Sequence, residues 1–334
     1  MVRATLDAVQ QVPRLRKFMF KLLPGAARRF RLYRSVLIGL VCVLTACSGQ
    51  QSAKPDPALV SALSRGINLS HWWTGPDENP VIRSRFALEA ADFEALYTQG
   101  FRHVRIPFDP SRLFHADRAQ VIREDAMAHL QSDIGRAVDA GLAVVLAMQM
   151  TSPAKQRLFV SGGAVDALIS RWYQIATALA DLPTDRLVLE ILNEPETENP
   201  WAWGRMQRGL VEALREAIPG HTLMVTGAHY SDAVDLQMLA PLADANVIYS
   251  FHFYTPHNFT HQGANWGWDM WSRLRGLPFP SSPEAVESAA QAVDAGARPH
   301  VEYYGQQAWT ADKLGSEIAM VAQWAGRYGL TVQC

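Results

Sequence analysis

From residue 64 onward, short apolar runs alternate with amphipathic stretches. The runs are GINLS at 66–70, HVRIPF at 103–108, AVVLAMQ at 143–149, RLVLEIL at 186–192, TLMVTG at 222–227, NVIYSFHFY at 246–254 and LTVQC at 330–334. Segments of helical period fall between most of them, at 87–99, 124–140, 164–181 and 203–217. Near-continuous apolar strands separated by helices predict a parallel α/β sheet buried on both faces. Polar side chains gather where the strands end: Asn68, Arg105, Asn193, Glu194, His252 and Tyr254. That is the chemical face of a TIM (β/α)8 barrel. A doubly wound sheet is the alternative, but it usually carries a glycine-rich phosphate loop after its first strand, and none is visible. Residues 255–308, rich in Trp, Gly and Pro, read as an elaborated active-site loop. No internal repeat is visible.

The first 60 residues break this pattern. Arg28, Arg29, Arg31 and Arg34 precede the apolar run SVLIGLVCVLTA at 35–46. That run is too short for a membrane-spanning helix, which needs about 20 apolar residues, and reads as a signal peptide. It ends in Leu44-Thr45-Ala46-Cys47, which resembles a bacterial lipobox with Cys47 as the lipidated residue. Ser48 after the Cys resembles an outer-membrane lipoprotein; a plain secretory signal with a chance Cys is the other reading. Met19 is a candidate start. The expected division is a signal peptide with lipobox over 1–47, a flexible tether over 48–60 and a barrel domain over 61–334. The protein is then exported, at the outer membrane or cell surface, or periplasmic or extracellular.

Composition narrows the partners. The 334 residues are 49% hydrophobic and 19% charged with a net charge of −1, so no bulk field draws the chain to nucleic acid or an anionic membrane. Membrane contact is expected only through a lipid anchor at Cys47, and the barrel is expected to be a monomer. Three cysteines are too few for a disulfide framework. Several of the ten Trp are candidates to stack on the apolar faces of sugar rings.

The chemistry concentrates in RLVLEILNEPE at 186–196. An apolar strand delivers Asn-Glu-Pro at its C-terminal end. Pro195 ends the ladder and stiffens the turn. A carboxyl at the edge of a partly dry cleft holds its proton tightly, so Glu194 is a candidate acid near neutral pH. Asn193 beside it can bond a sugar hydroxyl next to the reacting carbon.

These residues, with RGINLSHWW at 65–73, GFRHVRIPF at 100–108, FHFYTPHNFTHQGANW at 251–266 and LPFP at 277–280, resemble glycoside hydrolase family 5, the cellulase-type family of retaining glycosidases. The resemblance runs over about residues 60–334. It implies a TIM barrel, cleavage of β-linked glucans, mannans and related glycans, and no metal or cofactor. It makes Glu194 the catalytic acid/base and Asn193 the residue that reads the sugar. Arg105 would hold the nucleophilic carboxylate ionised, and His252 and Tyr254 would orient the two carboxyls. Asn68, His71, Trp72, Gln149 and Trp266 are the expected substrate-binding residues; Gln149 stands where the family usually places a His.

The family's second catalytic Glu follows strand seven. With LTVQC as strand seven, the barrel is C-terminally incomplete, strands 1–7 present, and the nucleophile falls beyond Cys334. The rival assignment makes Glu302 the nucleophile and LTVQC strand eight. The expected function is an exported retaining glycosidase acting on a β-1,4-glucan, with polysaccharide or oligosaccharide as substrate. The alternative is an inactive fragment or a non-catalytic sugar-binding barrel.

Overall fold

The computed structural model describes residues 53–74 and 87–334, so the segment read as a signal peptide and Cys47 lie outside the described residues. Seven parallel strands form one sheet in chain order. They are β1 (Gly66–Asn68), β2 (His103–Phe108), β3 (Ala143–Met148), β4 (Leu187–Glu190), β5 (Thr222–Thr226), β6 (Val247–Ser250) and β7 (Thr331–Gln333). Every neighbouring pair is parallel. Each strand falls within its apolar run, and β7 pairs with β6 as the seventh strand. This is the (β/α)8 barrel architecture with the eighth strand absent from the described residues.

Alternation along the strands explains why the runs look continuously apolar. Ala143, Val145, Val188, Met224 and Ile248 point into the barrel. Val104, Ile106, Val144, Leu146, Leu189 and Val225 point outward into the main core beneath the helices. In β2 to β6 both faces are almost entirely dry, so neither parity tolerates much polarity, whereas β1 and β7 at the sheet's two ends are only partly covered. Apart from α1 (Pro57–Ala62), which packs on the inward-facing strand residues, the helices complete the outer layer: α2 (Ala90–Thr98), α3 (Glu124–Asp139), α4 (Ser152–Leu158), α5 (Gly162–Leu179), α6 (Pro200–Ala217) and α7 (Ala233–Gln237). On α3 the buried apolar residues Met127, Leu130, Ile134 and Ala137 repeat at helical spacing.

The first helix differs from expectation. Residues 57–60, read as part of a tether, begin α1. Asp56 caps it by accepting from the Ala58 amide at 2.7 Å, and Pro57 opens it. Leu59 and Leu63 sit in the cluster formed by the inward-facing strand residues, stoppering the barrel's N-terminal mouth. The Gln333 amide nitrogen donates to the Leu63 carbonyl at 3.2 Å, tying the end of β7 to the same stopper.

Two buried indoles tie the helical layer to the strand ends. Trp172 Nε1 on α5 donates to the Ile191 carbonyl at 2.9 Å, and Trp203 Nε1 on α6 donates to the Thr226 carbonyl at 2.8 Å. Both acceptors lie where the chain leaves the sheet, so these bonds set the height and direction of the loops that follow.

Residues 255–308 are a small folded unit rather than a loop. They contain α8 (His257–Thr260), α9 (Glu287–Ala292) and α10 (Arg298–Gln306), and α11 (Ala311–Tyr328) follows. Leu274, Leu277, Val286, Val301 and Tyr304 form a separate core with Trp309. Glu302 lies exposed on α10, in a segment with no strand pairing. The rival nucleophile is thereby corrected: GARPH opens a helix, and LTVQC supplies the next strand.

Candidate active site

The sheet's C-terminal end opens into a cleft of about 740 Å3. Asn68, His71, Arg105, Gln149, Asn193, Glu194, His252 and Tyr254 all line it, drawn from the ends of β1, β2, β3, β4 and β6. The six polar residues singled out by position along the chain therefore converge, together with His71 and Gln149, which the resemblance named.

Arg105 organises the floor. Its Nε donates to Glu190 Oε2 and its Nη2 to Glu190 Oε1, both at 2.7 Å. Nη2 also donates to Asn193 Oδ1 at 2.7 Å, and Nη1 to Asn68 Oδ1 at 2.8 Å. One guanidinium thus clamps three strands. Glu190 is 1% exposed. Burial alone would push its carboxyl up, but the Arg105 charge and the two hydrogen bonds outweigh burial and hold it below the ordinary value. Arg105 was expected to face a catalytic nucleophile; among the described residues its carboxylate partner is this buried structural acid. Asn193 spends its oxygen on Arg105, which leaves the amide nitrogen as its donor.

Glu194 stands at the rim of β4 with φ +52°, a left-handed conformation that turns its side chain off the strand direction. Its Oε1 meets His252 Nδ1 at 2.7 Å. A second left-handed segment holds this pair together. His229, Tyr230 and Ser231 after β5 all have positive φ, at +45°, +62° and +64°. In that shape the His229 amide donates to Thr197 O at 2.9 Å and the Tyr230 amide to Pro195 O at 3.0 Å. The His252 amide donates to Ser231 O at 2.9 Å. The turn therefore stitches the Glu194 loop to the end of β6. Gly227 permits it: a Cβ there would lie 2.7 Å from both the Asp232 carbonyl oxygen and the Leu236 amide. Strained backbone of this kind is retained where the surroundings over-determine it.

The proton affinity of Glu194 differs from the sequence expectation. Burial pushes its carboxyl up, but the His252 hydrogen bond and charge, followed by the charges of Lys155 and Arg105, bring it below the ordinary value. The surrounding cations outweigh burial, so Glu194 is not the raised acid that a dry cleft edge alone would make.

Trp72 is also corrected. It is 5% exposed and packs in the core, its ring centroid 5.9 Å from that of Phe93 on α2. The left-handed φ of His71, +68°, turns the chain so that His71 faces the cleft and Trp72 faces the core. Trp266 is 62% exposed, edge-on to His261 at 5.0 Å, and Tyr254 meets the same imidazole at 5.4 Å. An aromatic surface thus continues from the cleft wall outward. Glu190, Lys155 and Glu196 escaped the sequence reading. Glu190 had a signal, since an acid at inward parity in an apolar strand must find a buried partner.

A family model described as cellulase (glycosyl hydrolase family 5) matches residues 64–310. Endoglucanase C of Acetivibrio thermocellus is 25% identical over 228 residues, 66% of this chain and 66% of that protein. The chain thus spans just under two thirds of that relative's length. Cellodextrinase A of Ruminococcus flavefaciens is 27% identical over 80% of this chain and 75% of its own. Among solved structures, Thermotoga maritima Cel5A in complex with cellobiose superposes with a TM-score of 0.64 at 24% identity, covering 83% of this chain and 80% of that one. The cellulose synthase subunit Z of Clostridioides difficile gives 0.61 at 21% identity, covering 80% and 78%.

Proposed function

The chain belongs to glycosyl hydrolase family 5, the cellulase family, and on that premise we propose that it hydrolyses a β-linked glucan, endoglucanase fashion, with Glu194 as acid/base. The observation that carries this reading is the placement of Glu194: at the rim of β4, in the cleft, 2.7 Å from His252, beside an Asn193 locked by Arg105. In the first step Glu194 gives its proton to the glycosidic oxygen as the bond to the anomeric carbon breaks and a second carboxylate attacks that carbon. In the second, Glu194 takes a proton from water, which displaces the carboxylate with net retention. His252 Nδ1 fixes the carboxyl's direction. The Asn193 amide reaches the hydroxyl next to the reacting carbon. Asn68, His71 and Gln149 offer hydrogen bonds along the floor, and Tyr254 and Trp266 offer faces for sugar rings.

Double displacement needs the two carboxyls about 5–5.5 Å apart. Among the described residues lining the cleft, the carboxylates are Glu194 and Asp109, and Asp109 accepts from the Ser111 amide at 2.8 Å to cap its own turn. The rim beside Cys334, which borders the cleft after β7, is where a second carboxylate would face Glu194. Such a charge would also raise Glu194 into the range of an acid. Export by the basic and apolar N-terminal segment, with a lipid anchor at Cys47, would bring this cleft to polymeric glycan outside the cytoplasm.

The test is release of reducing ends from soluble cellulose by the full gene product, with Glu194→Gln as control. Turnover lost in the variant supports the proposal. Glycan binding with no turnover in either favours the second reading, a sugar-binding barrel.

A further inference from the structure

Beside the cleft lies a buried ion pair that the proposed reaction does not use. Lys155 on α4 is 3% exposed, and its Nζ sits 3.3 Å from Glu196 Oε1. The other oxygen of Glu196 accepts from the Ser152 hydroxyl and, at 3.5 Å, from the Gln156 amide. One turn of α4 thus grips the residue two positions beyond Glu194. Burying a lysine is unfavourable, and an apolar side chain of the same length would fill the space at no electrostatic cost. The pair therefore asks for a role beyond packing.

Its position suggests one. Glu194 is faced by His252 from β6 and Arg105 from β2, with Glu190 on its own strand. Tyr230 and His261 bear on it from the turn after β5 and from the 255–308 unit. Gln149, at the end of β3, lines the cleft without a charge. Lys155 is the cation that acts on Glu194 from the β3 side. Glu196 holds that cation in place and neutralises part of its field.

The geometry points to Lys155 as a positioning residue that sets, through its ion pair with Glu196, how tightly Glu194 holds its proton. The idea rests on Glu194 being the acid/base. It makes a signed prediction. Lys155→Met removes a positive charge, so Glu194 binds its proton more tightly and the alkaline limb of kcat/KM moves up by about half a pH unit or more. Glu196→Gln removes a negative charge and leaves Lys155 unneutralised, so the limb moves down by a similar amount. The double variant returns close to the parent.

The experiment measures pH profiles of the full-length protein and these three variants on soluble cellulose, with melting curves to confirm folding. Opposite shifts that cancel support the proposal. Equal losses of kcat with an unmoved limb mean the pair only holds the loop, and overturn it. If Lys155→Met does not fold, Glu196→Gln decides alone: a downward shift supports, an unmoved limb overturns. If the parent shows no turnover, the hydrolase reading fails separately. The Glu194 carboxyl titration, followed by 13C NMR and assigned against Glu194→Gln, then answers the Lys155 question without turnover.

Discussion

Replacing Arg105 with Met removes four hydrogen bonds: two to Glu190, one to Asn193 and one to Asn68. The loss falls mainly on Glu190, 1% exposed and left ionised without its hydrogen-bonded counter-charge. Breaking a buried pair by removing one partner costs about 3–5 kcal/mol. The stranded Asn193 oxygen would add about 1–3 kcal/mol if it stayed dry. Arg105 itself is 19% exposed, so water can enter from the cleft and offset part of this. A net loss of about 4 kcal/mol is expected, which lowers Tm by roughly 8–16 °C for a domain of this size.

The pH dependence supplies the sharper check. In the parent, Glu190 is held below its ordinary value, so its contribution is present at neutral pH and lost as pH falls through the folded-state value. In the variant, burial is opposed only by the weaker effect of His252, and the folded-state value rises above the unfolded one. The penalty is then full above the raised value and vanishes below the unfolded value of about 4.3. Calorimetry at pH 7 and pH 4 should show the deficit shrinking at the lower pH. Arg105→Met combined with Glu190→Gln should recover part of the loss at pH 7. A drop below about 3 °C at pH 7, or an equal deficit at both pH values, would refute the reasoning.

Two further outcomes follow from the geometry. Gly227→Ala forces a methyl against the Asp232 carbonyl and the Leu236 amide. It should lower stability by about 1–3 kcal/mol in urea melts and raise Glu194 loop mobility by hydrogen exchange. Trp266→Ala should raise KM for long glucans about 3–10-fold while leaving kcat and short chromogenic substrates unchanged, because Trp266 stands outside the cleft on His261.

Much of this was legible in the chain. Strands buried on both faces, as β2 to β6 are, write themselves as apolar runs, and the two end strands also fell where the runs are. Glu194 was legible because Asn-Glu-Pro directly follows the apolar run, although β4 itself already ends at Glu190 rather than at Pro195. Glu190 was harder, since one acid near a strand's end looks like the start of a loop until parity places it inward. Trp72 depended on the backbone of His71, and a left-handed φ at a histidine leaves no mark in a hydrophobic pattern. The 255–308 unit hid its core because its helices are too short to show a period. Lys155 and Glu196 are 41 residues apart, and only the parallel pairing of β3 with β4 brings them together.

The most direct measurement varies the leaving group. Aryl β-glucosides or cellobiosides with leaving phenols of graded acidity are hydrolysed by the full-length protein and by Glu194→Gln. The account predicts a loss of on the order of 100-fold or more on poor leaving groups, which need the proton, shrinking toward parity in bond cleavage for dinitrophenol, which does not. A loss independent of the leaving group, or none, would show that Glu194 does not protonate the glycosidic oxygen.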